Sequence, residues 1–396
     1  MRALFVAPTL PTPGSGGRTR LTSITRLLAE RHDLHLVGYT AEDQSPDENP
    51  YPGAALPPPP LPPRPAGLAG ALRFYRERLT TTLPAFVSYL AHPAMRAAIV
   101  HEIARFDPDV VQVETTEMAH YLRWIPRRPV RALDLQDVAS RWFATVVAQD
   151  QTRKERALNR LELLKARRYD ARYARMPDIV FSVSEEERSF LRAHAGVEAV
   201  PVPNGVDTEA FAPLRGVEPD PAKLVFVGPL TYVANRDGLG WFVEQVLPKV
   251  LAEDPAVRLD VVGTPVEVSW PDSVRLLGRV EDVRPHVAGA AIGIVPIRIG
   301  SGTRYKILEA LSMGSAVVST SLGAEGLGTV HGTHLLLADD AGSFADAILE
   351  LRRSAELRAR LGAAGRAHVA EHFDWRPLVE RIEDAWTGAR ERRGHP

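Results

Sequence analysis

The chain has 396 residues, 45% hydrophobic and 24% charged, with 48 basic side chains against 49 acidic ones. That balance excludes nucleic acid as the main partner, because proteins that bind it carry a basic excess. The absence of cysteine excludes disulfides, thiolate nucleophiles and cysteine-ligated zinc.

Length predicts two domains of roughly 200 residues each. The first apolar run stops at Pro8, shorter than a secretory signal. No window approaches the ~20 apolar residues of a membrane span. The expected location is the cytoplasm, with peripheral contact at the inner membrane face left open.

Ala3 to Ala7 reads as a buried parallel strand, followed by a Pro/Gly loop and a helix whose apolar face is Leu21, Ile24, Leu27 and Leu28. Leu34 to Gly38 is the next strand. Pro46 to Pro65 is proline-rich and reads as a surface excursion, neither helix nor central strand. Val110 to Val113 and Ala132 to Leu135 are further strands. Gln151 to Arg175 is a long polar helix with nine Lys/Arg, solvated or turned toward anionic lipid or a phosphorylated acceptor. Asp178 to Val183 is a strand that runs into a helix start at Ser184–Glu187.

A second alternating series follows: Leu224 to Val227, Leu259 to Val262, Ile292 to Val295 and Ala316 to Ser319 are strand-like, with amphipathic stretches between most of them. Strands alternating with helices imply parallel sheets covered on both faces, so two facing Rossmann-like α/β domains are expected. The boundaries fall at 1–205 and 206–374, and 375–396 reads as a terminal helix packing back toward the N-terminal domain.

Two loops carry candidate chemistry. Gly14-Ser-Gly16-Gly17, between the first strand and first helix, suits backbone approach to a phosphate or sugar, or serves as a flexible turn. It lacks the third glycine and the acidic strand end of a dinucleotide fingerprint. The second loop is Gly300-Ser301-Gly302-Thr303-Arg304-Tyr-Lys306-Ile-Leu-Glu309, where a helix is expected to begin near Thr303. Cations in the first turn of a helix face its positive end and so imply a bound anion, such as a diphosphate. Glu309, one turn after Lys306, is placed to accept hydrogen bonds from ribose hydroxyls. The alternative is a solvated helix with a Lys306–Glu309 pair worth a few tenths of a kcal/mol. His92, His101, His120 and His286 have no metal-ligand spacing, and no metal site is expected.

The stretch from Gly300 to Thr320, followed by Gly323-Ala-Glu325-Gly, resembles the donor-site signature of retaining glycosyltransferase family 4, whose fold is GT-B. Pro203-Asn-Gly-Val-Asp207, Phe226-Val-Gly228-Pro229-Leu230 and Leu277-Gly-Arg-Val-Glu-Asp282 agree with it, as do Val111–Glu114 and Asp134-Leu-Gln136-Asp137 in the first half. The resemblance implies that Glu309 is the second glutamate of the family's Glu-x7-Glu pair; Ser301 stands where the first would be, leaving the backbone of Gly300, Ser301 and Gly302 to replace it. Pro229 occupies the position of the family's diphosphate arginine, and Asn235-Arg236 lies near that of its lysine. The expected phosphate ligands are therefore Arg304 and Lys306, with Arg236 beside them and Gly16, Gly17, Gly228 and Thr303 completing the donor contacts. Gln136 stands where relatives have a histidine, leaving Glu114 and Asp137 as carboxylates for the acceptor.

The implied reaction moves a sugar from a nucleotide-diphosphate-sugar, a UDP-sugar before a GDP- or dTDP-sugar, to an acceptor hydroxyl with retention. The acceptor is a glycan, a lipid-linked group or a small molecule, no further cofactor is implied, and the oligomeric state is left open. Arg304 and Lys306 would stabilise the departing diphosphate, with Asp137 the candidate catalytic carboxylate. Two alternatives share the fold: a nucleotide-sugar 2-epimerase, and an inactive homologue that binds nucleotide sugar or glycan.

Overall fold

The computed structural model describes residues 1–12, 16–41, 44–59, 76, 79–148, 152–300 and 304–394. The chain divides into two compact units: Met1–Pro203 with Pro377–Pro396, and Asn204–Arg376. The last helix, Trp375–Arg392, thus starts in the second unit and from Pro377 onward belongs to the first.

In the first unit seven strands form a parallel sheet: β1 (Arg2–Ala7), β2 (Asp33–Tyr39), β3 (Gly53–Leu56), β4 (Val110–Glu114), β5 (Val130–Leu135), β6 (Ile179–Ser182) and β7 (Val200–Pro201). Their order is β3-β2-β1-β4-β5-β6-β7. Ala3 to Ala7 are all inaccessible, as a central strand covered on both faces requires. Leu21, Ile24, Leu27 and Leu28 of the first helix, Gly16–Ala29, are buried as their spacing predicts. Trp386 of the terminal helix is fully buried in this unit, 6.1 Å from the Phe5 ring.

The second unit holds β8 (Asp220–Val227), β9 (Arg258–Val262), β10 (Val274–Gly278), β11 (Ala290–Val295), β12 (Ala316–Ser319) and β13 (Leu336–Leu337) in the order β10-β9-β8-β11-β12-β13, again parallel. Its core is a cluster built on Leu224, Phe226, Leu259, Val261, Ile292 and Phe344.

Several elements differ from expectation. The proline-rich excursion contains the edge strand β3, paired from Leu36↔Gly53 to Tyr39↔Leu56; an edge is where sparse donors are tolerated. Residues 60–65 of that excursion lie outside the described residues. The long polar helix runs Arg153–Tyr173 behind a capping box of Thr152 and Glu155, and Gln151 is outside the described residues. The donor-loop helix is described from Tyr305, with Arg304 as its N-cap, and Thr303, near which the sequence places its start, lies outside the described residues. Among the described residues no helix is long and apolar enough to cross a membrane.

Candidate functional site

In the second sheet the chain leaves β8 for β9 on one side and resumes at β11 on the other. Loops leaving β8 and β11 therefore diverge at the carboxyl ends of the strands, where open α/β sheets bind ligands. The β8 loop is Gly228-Pro229-Leu230. The β11 loop leads through Gly300 toward the helix Tyr305–Ser312; Ser301, Gly302 and Thr303 lie outside the described residues.

The two loops meet at Gly228, whose φ is 155°. A Cβ there would stand 2.7 Å from Asn235 Nδ2 and 3.1 Å from Lys306 Nζ, so only glycine fits this backbone. Asn235, buried, donates from Nδ2 to the Pro229 carbonyl at 2.9 Å and accepts from Lys306 Nζ at 2.5 Å. The Lys306 ammonium also lies 4.7 Å from the centre of the Phe226 ring. Burial pulls its pKa down to about 7, Arg304 adds to the fall, and Glu309 opposes it.

Arg304 has 11% of its side chain exposed and reaches Glu325 Oε2 at 3.4 Å, a carboxylate that is itself 61% exposed. Its Nε is buried with no hydrogen-bond partner. Burial lowers its pKa, with the Glu325 charge opposing. One turn beyond Lys306, Glu309 is pushed by burial up to about 7 against the pull of the lysine. Among the described residues no hydrogen bond or ion pair reaches its carboxylate, so the alternative of a Lys306–Glu309 pair is not what forms.

Neighbouring loops brace this pocket. Thr320 Oγ1 donates to the Ile297 carbonyl and accepts from Gly323 N at 2.9 Å, tying the turn that carries Glu325 to the end of β11. Tyr305 Oη donates to Asn204 Oδ1 at 3.2 Å. Gly300, at φ 92°, lies beside Tyr232 and Ala234. Arg236 is exposed at the rim, with Nη1 3.5 Å from the Leu230 carbonyl. Such an arrangement suits an anion: a guanidinium whose buried Nε has no partner and an ammonium with a lowered pKa stand at the positive end of a helix. A carboxylate free to accept hydroxyls lies one turn deeper.

The first unit has its own switch point, between β1 and β4. Gly16 and Gly17 open the helix that follows β1, and a Cβ on Gly17 would lie 3.0 Å from Gln136 Oε1. Gln136 in turn donates to Glu114 Oε2 at 3.3 Å, and Gln112 donates to Oε1 at 2.8 Å. Glu114 is 1% exposed; burial and the Asp134 charge raise its pKa to about 8, against Gln112 and Arg20. Asp134 is held by Arg20 through bonds of 2.7 and 2.9 Å, both side chains fully buried. Trp386 Nε1 donates to Gln112 Oε1 at 3.1 Å, which turns the amide group of Gln112 toward Glu114.

Asp137 follows β5 and keeps solvent access; crowding by the surrounding protein, then the Glu117 charge, raises its pKa to about 6. Glu187, on the helix Glu185–Ala195 that follows β6, is buried, is raised to about 8 by burial and then by Asp137, and accepts from Val183 N at 3.3 Å. Glu114 is therefore committed beneath the surface, whereas Asp137 is open to a ligand.

Three features escape a reading of the sequence. Asn235, marked in the sequence only by lying near the family's lysine position, joins the β8 loop to Lys306. The Arg20–Asp134 pair spans 114 positions. Thr115, directly after Glu114, has φ 68° and a buried Oγ1 without a partner; a β-branched residue in that region is strained, and such strain concentrates at ligand sites.

A family model described as Glycosyltransferase Family 4 matches residues 14–210, and one described as Glycosyl transferases group 1 matches residues 221–354. A Klebsiella pneumoniae protein, an uncharacterized 44.6 kDa protein in the cps region, is 27% identical over 172 residues, 40% of this chain and 44% of the relative. A phosphatidyl-myo-inositol mannosyltransferase of Mycolicibacterium smegmatis is 28% identical over 237 residues, 52% of this chain and 57% of the relative. The chain thus spans about half the length of these curated relatives, at 44% and 57%. Among solved structures, sucrose-phosphate synthase from Thermosynechococcus elongatus superposes with a TM-score of 0.69 at 16% identity, covering 98% of this chain and 99% of the other. That likeness, with two parallel-sheet α/β units, gives the GT-B fold. Matched in order along both units, the chain belongs to glycosyltransferase family 4, the group 1 glycosyltransferases.

Proposed function

We propose that the protein is a glycosyltransferase that moves a sugar from a nucleotide-diphosphate-sugar to an acceptor hydroxyl, with retention of anomeric configuration. The observation that carries this reading is the half-buried Arg304–Lys306–Glu309 set at the switch point of the second unit. The guanidinium has an N–H to spare, the ammonium is short of negative charge, and the carboxylate has no hydrogen-bond or ion-pair partner among the described residues. Diphosphate oxygens answer the first two, and ribose hydroxyls the third.

In the reaction the acceptor oxygen bonds to the anomeric carbon as the bond from that carbon to the diphosphate breaks. Negative charge then grows on the leaving diphosphate. Arg304 and Lys306 stand ready to stabilise it without reorganising, the usual source of such rate enhancement. Bound diphosphate also raises the pKa of Lys306 and keeps it charged. The acceptor's proton leaves with a base or with the departing phosphate; Asp137, half ionised near pH 6 and open to solvent, is the candidate base.

A lipid-linked acceptor is the first to test, because the relative of named activity acts on phosphatidyl-myo-inositol. The helix Arg153–Tyr173 supports that choice. It exposes Arg156, Arg160, Leu164, Arg167 and Arg168 along one face, a pattern suited to an anionic membrane surface. UDP-sugars are the proposed donors, and the donor panel includes mannosyl nucleotides.

The test incubates the protein with this panel, with and without phosphatidylinositol vesicles, and follows free nucleoside diphosphate. Release that depends on acceptor and is lost in Arg304→Ala and Lys306→Ala supports transfer. An epimerised sugar overturns it in favour of epimerisation, and binding without turnover in every arm makes the chain a binding homologue.

A further inference from the structure

A cationic cavity lies at the amino-terminal ends of the strands in the first unit's sheet, opposite the ends that carry Glu114 and Asp137. Arg131 sits at the start of β5 and Asp178 directly before β6, both at the amino ends of the strands. Along β5 that is about 20 Å from Asp137, at ~3.3 Å per residue. Arg131, Asp178, Arg127, Arg175, Met176 and Arg393 wall a cavity of about 440 Å³.

The arginines are held mainly by backbone. Arg175 Nε donates to the Ala195 carbonyl at 2.6 Å, and Arg393 Nη1 donates to the carbonyls of Arg127 at 2.5 Å and Pro129 at 2.8 Å. Asp178 is the one carboxylate in the wall. Its Oδ1 accepts from Arg393 Nη2 at 2.6 Å and its Oδ2 from Arg131 N at 2.8 Å. The Arg131 guanidinium, with 12% of its side chain exposed, reaches Asp178 only at 3.9 Å, and its Nε is buried with no hydrogen-bond partner. Burial lowers the pKa of Arg131, and Arg393 and Arg127 push it further the same way against Asp178.

Four guanidiniums around one carboxylate are under-neutralised, and a buried guanidinium N–H left idle is costly. Guanidinium forks match tetrahedral oxyanions, whose charge settles the repulsion and whose oxygens accept the unused N–H groups. The volume exceeds that of one phosphate, leaving room for the group it esterifies.

We propose that this cavity binds a phosphate monoester dianion at a site separate from the donor pocket. The ester is either a soluble small molecule or the headgroup of an anionic lipid, and both present the same chemistry to Arg131 and Arg127.

The experiment uses the full chain carrying Arg304→Met, so that the donor pocket does not compete for phosphate. Glycerol 3-phosphate is titrated by calorimetry at fixed ionic strength in chloride. In parallel, phosphatidylcholine vesicles with and without phosphatidic acid are co-sedimented with the protein. Saturable binding in either arm is expected, weakened about tenfold or more by Arg127→Gln and by Arg131→Gln. Arg127 is exposed and its side chain makes no hydrogen bond or ion pair among the described residues, so its substitution separates loss of binding from loss of fold. Binding of glycerol 3-phosphate identifies a soluble ligand, and binding of phosphatidic acid vesicles alone identifies a headgroup. The proposal fails if neither arm saturates, or if binding is unchanged in both Arg127→Gln and Arg131→Gln.

Discussion

Lys306 and Glu309 stand one turn apart on one helix and form no ion pair; instead the lysine donates to Asn235, and among the described residues the carboxylate has no partner. Burial moves the two groups in opposite directions to the same place, about 7. Binding of a nucleoside diphosphate then has a definite proton signature. Phosphate raises the Lys306 pKa, so above pH 7, where the free lysine is mostly neutral, binding takes up a proton. Ribose hydroxyls donating to Glu309 lower its pKa, so below pH 7, where the free carboxyl is mostly protonated, binding releases one. Calorimetry in buffers of different ionisation enthalpy should show release at pH 6 and uptake at pH 8. Lys306→Met removes the uptake and Glu309→Gln the release; one sign at both pH values in the unsubstituted protein sinks the assignment.

Gly228 tests the geometry of the same pocket. Alanine there adopts a backbone that L residues avoid, with its Cβ 2.7 Å from Asn235 Nδ2 and 3.1 Å from Lys306 Nζ. The strain costs roughly 1–3 kcal/mol of stability, and displacement of Lys306 should weaken diphosphate binding about tenfold, equivalent to ~1.4 kcal/mol. Gly240, with nothing within 4 Å of its added Cβ, is the control. Its alanine variant should bind normally and gain up to about 1 kcal/mol in stability.

The strands most legible in the sequence are those the fold buries on both faces, because such strands are continuous apolar runs; Ala3 to Ala7 and Ile292 to Val295 are of this kind. β3 is hidden because Gly53-Ala-Ala-Leu56 has neither alternation nor β-branching, and β10 because Arg275 breaks the run at an exposed edge. Lys306 and Glu309 are legible as a site through their spacing on one helix. The burial of Glu114 is not, since it depends on Gln112 being turned by Trp386, 274 positions away. Contacts of that range leave no local pattern to read.

Glu114 gives the first unit a pH-dependent stability. Its pKa is about 8 folded and 4.5 as a free side chain, so between those values the folded state binds more protons than the unfolded one. Stability therefore falls as pH rises from about 4.5 to 8. Glu187, also at about 8, acts the same way, as do Asp137 and Asp170 at about 6. Glu114→Gln keeps an acceptor and a similar shape but cannot ionise. Its urea midpoint should fall less between pH 5.5 and pH 8.5 than that of the unsubstituted protein, and an equal fall would remove Glu114 from the account.

Trp386 links the terminal helix to that carboxyl. Trp386→Phe keeps most of the buried ring but deletes the donor to Gln112 Oε1, leaving a buried amide oxygen short of a partner at a cost of about 1–3 kcal/mol. Trp386→Phe,Gln112→Leu removes both ends but strips Glu114 of its 2.8 Å bond from Gln112. The double variant should therefore recover little of the stability lost, and should raise the Glu114 pKa further. Full recovery in thermal melts would mean that Gln112 serves Trp386 alone.

Thr115 sets stability against function in one residue. At φ 68° a β-branched side chain costs roughly 1–3 kcal/mol, and its buried Oγ1 adds an unsatisfied polar atom. Glycine relieves both while giving back up to about 1 kcal/mol through the freer unfolded chain. Thr115→Gly should thus melt at the same temperature as the unsubstituted protein or higher. If the strain is kept for a ligand, the hydroxyl is an acceptor contact at the β1/β4 switch point, and glycine should slow acceptor-dependent release of nucleoside diphosphate while leaving donor binding unchanged. A lower melting temperature with normal transfer would make the conformation a packing requirement and Thr115 a structural residue only.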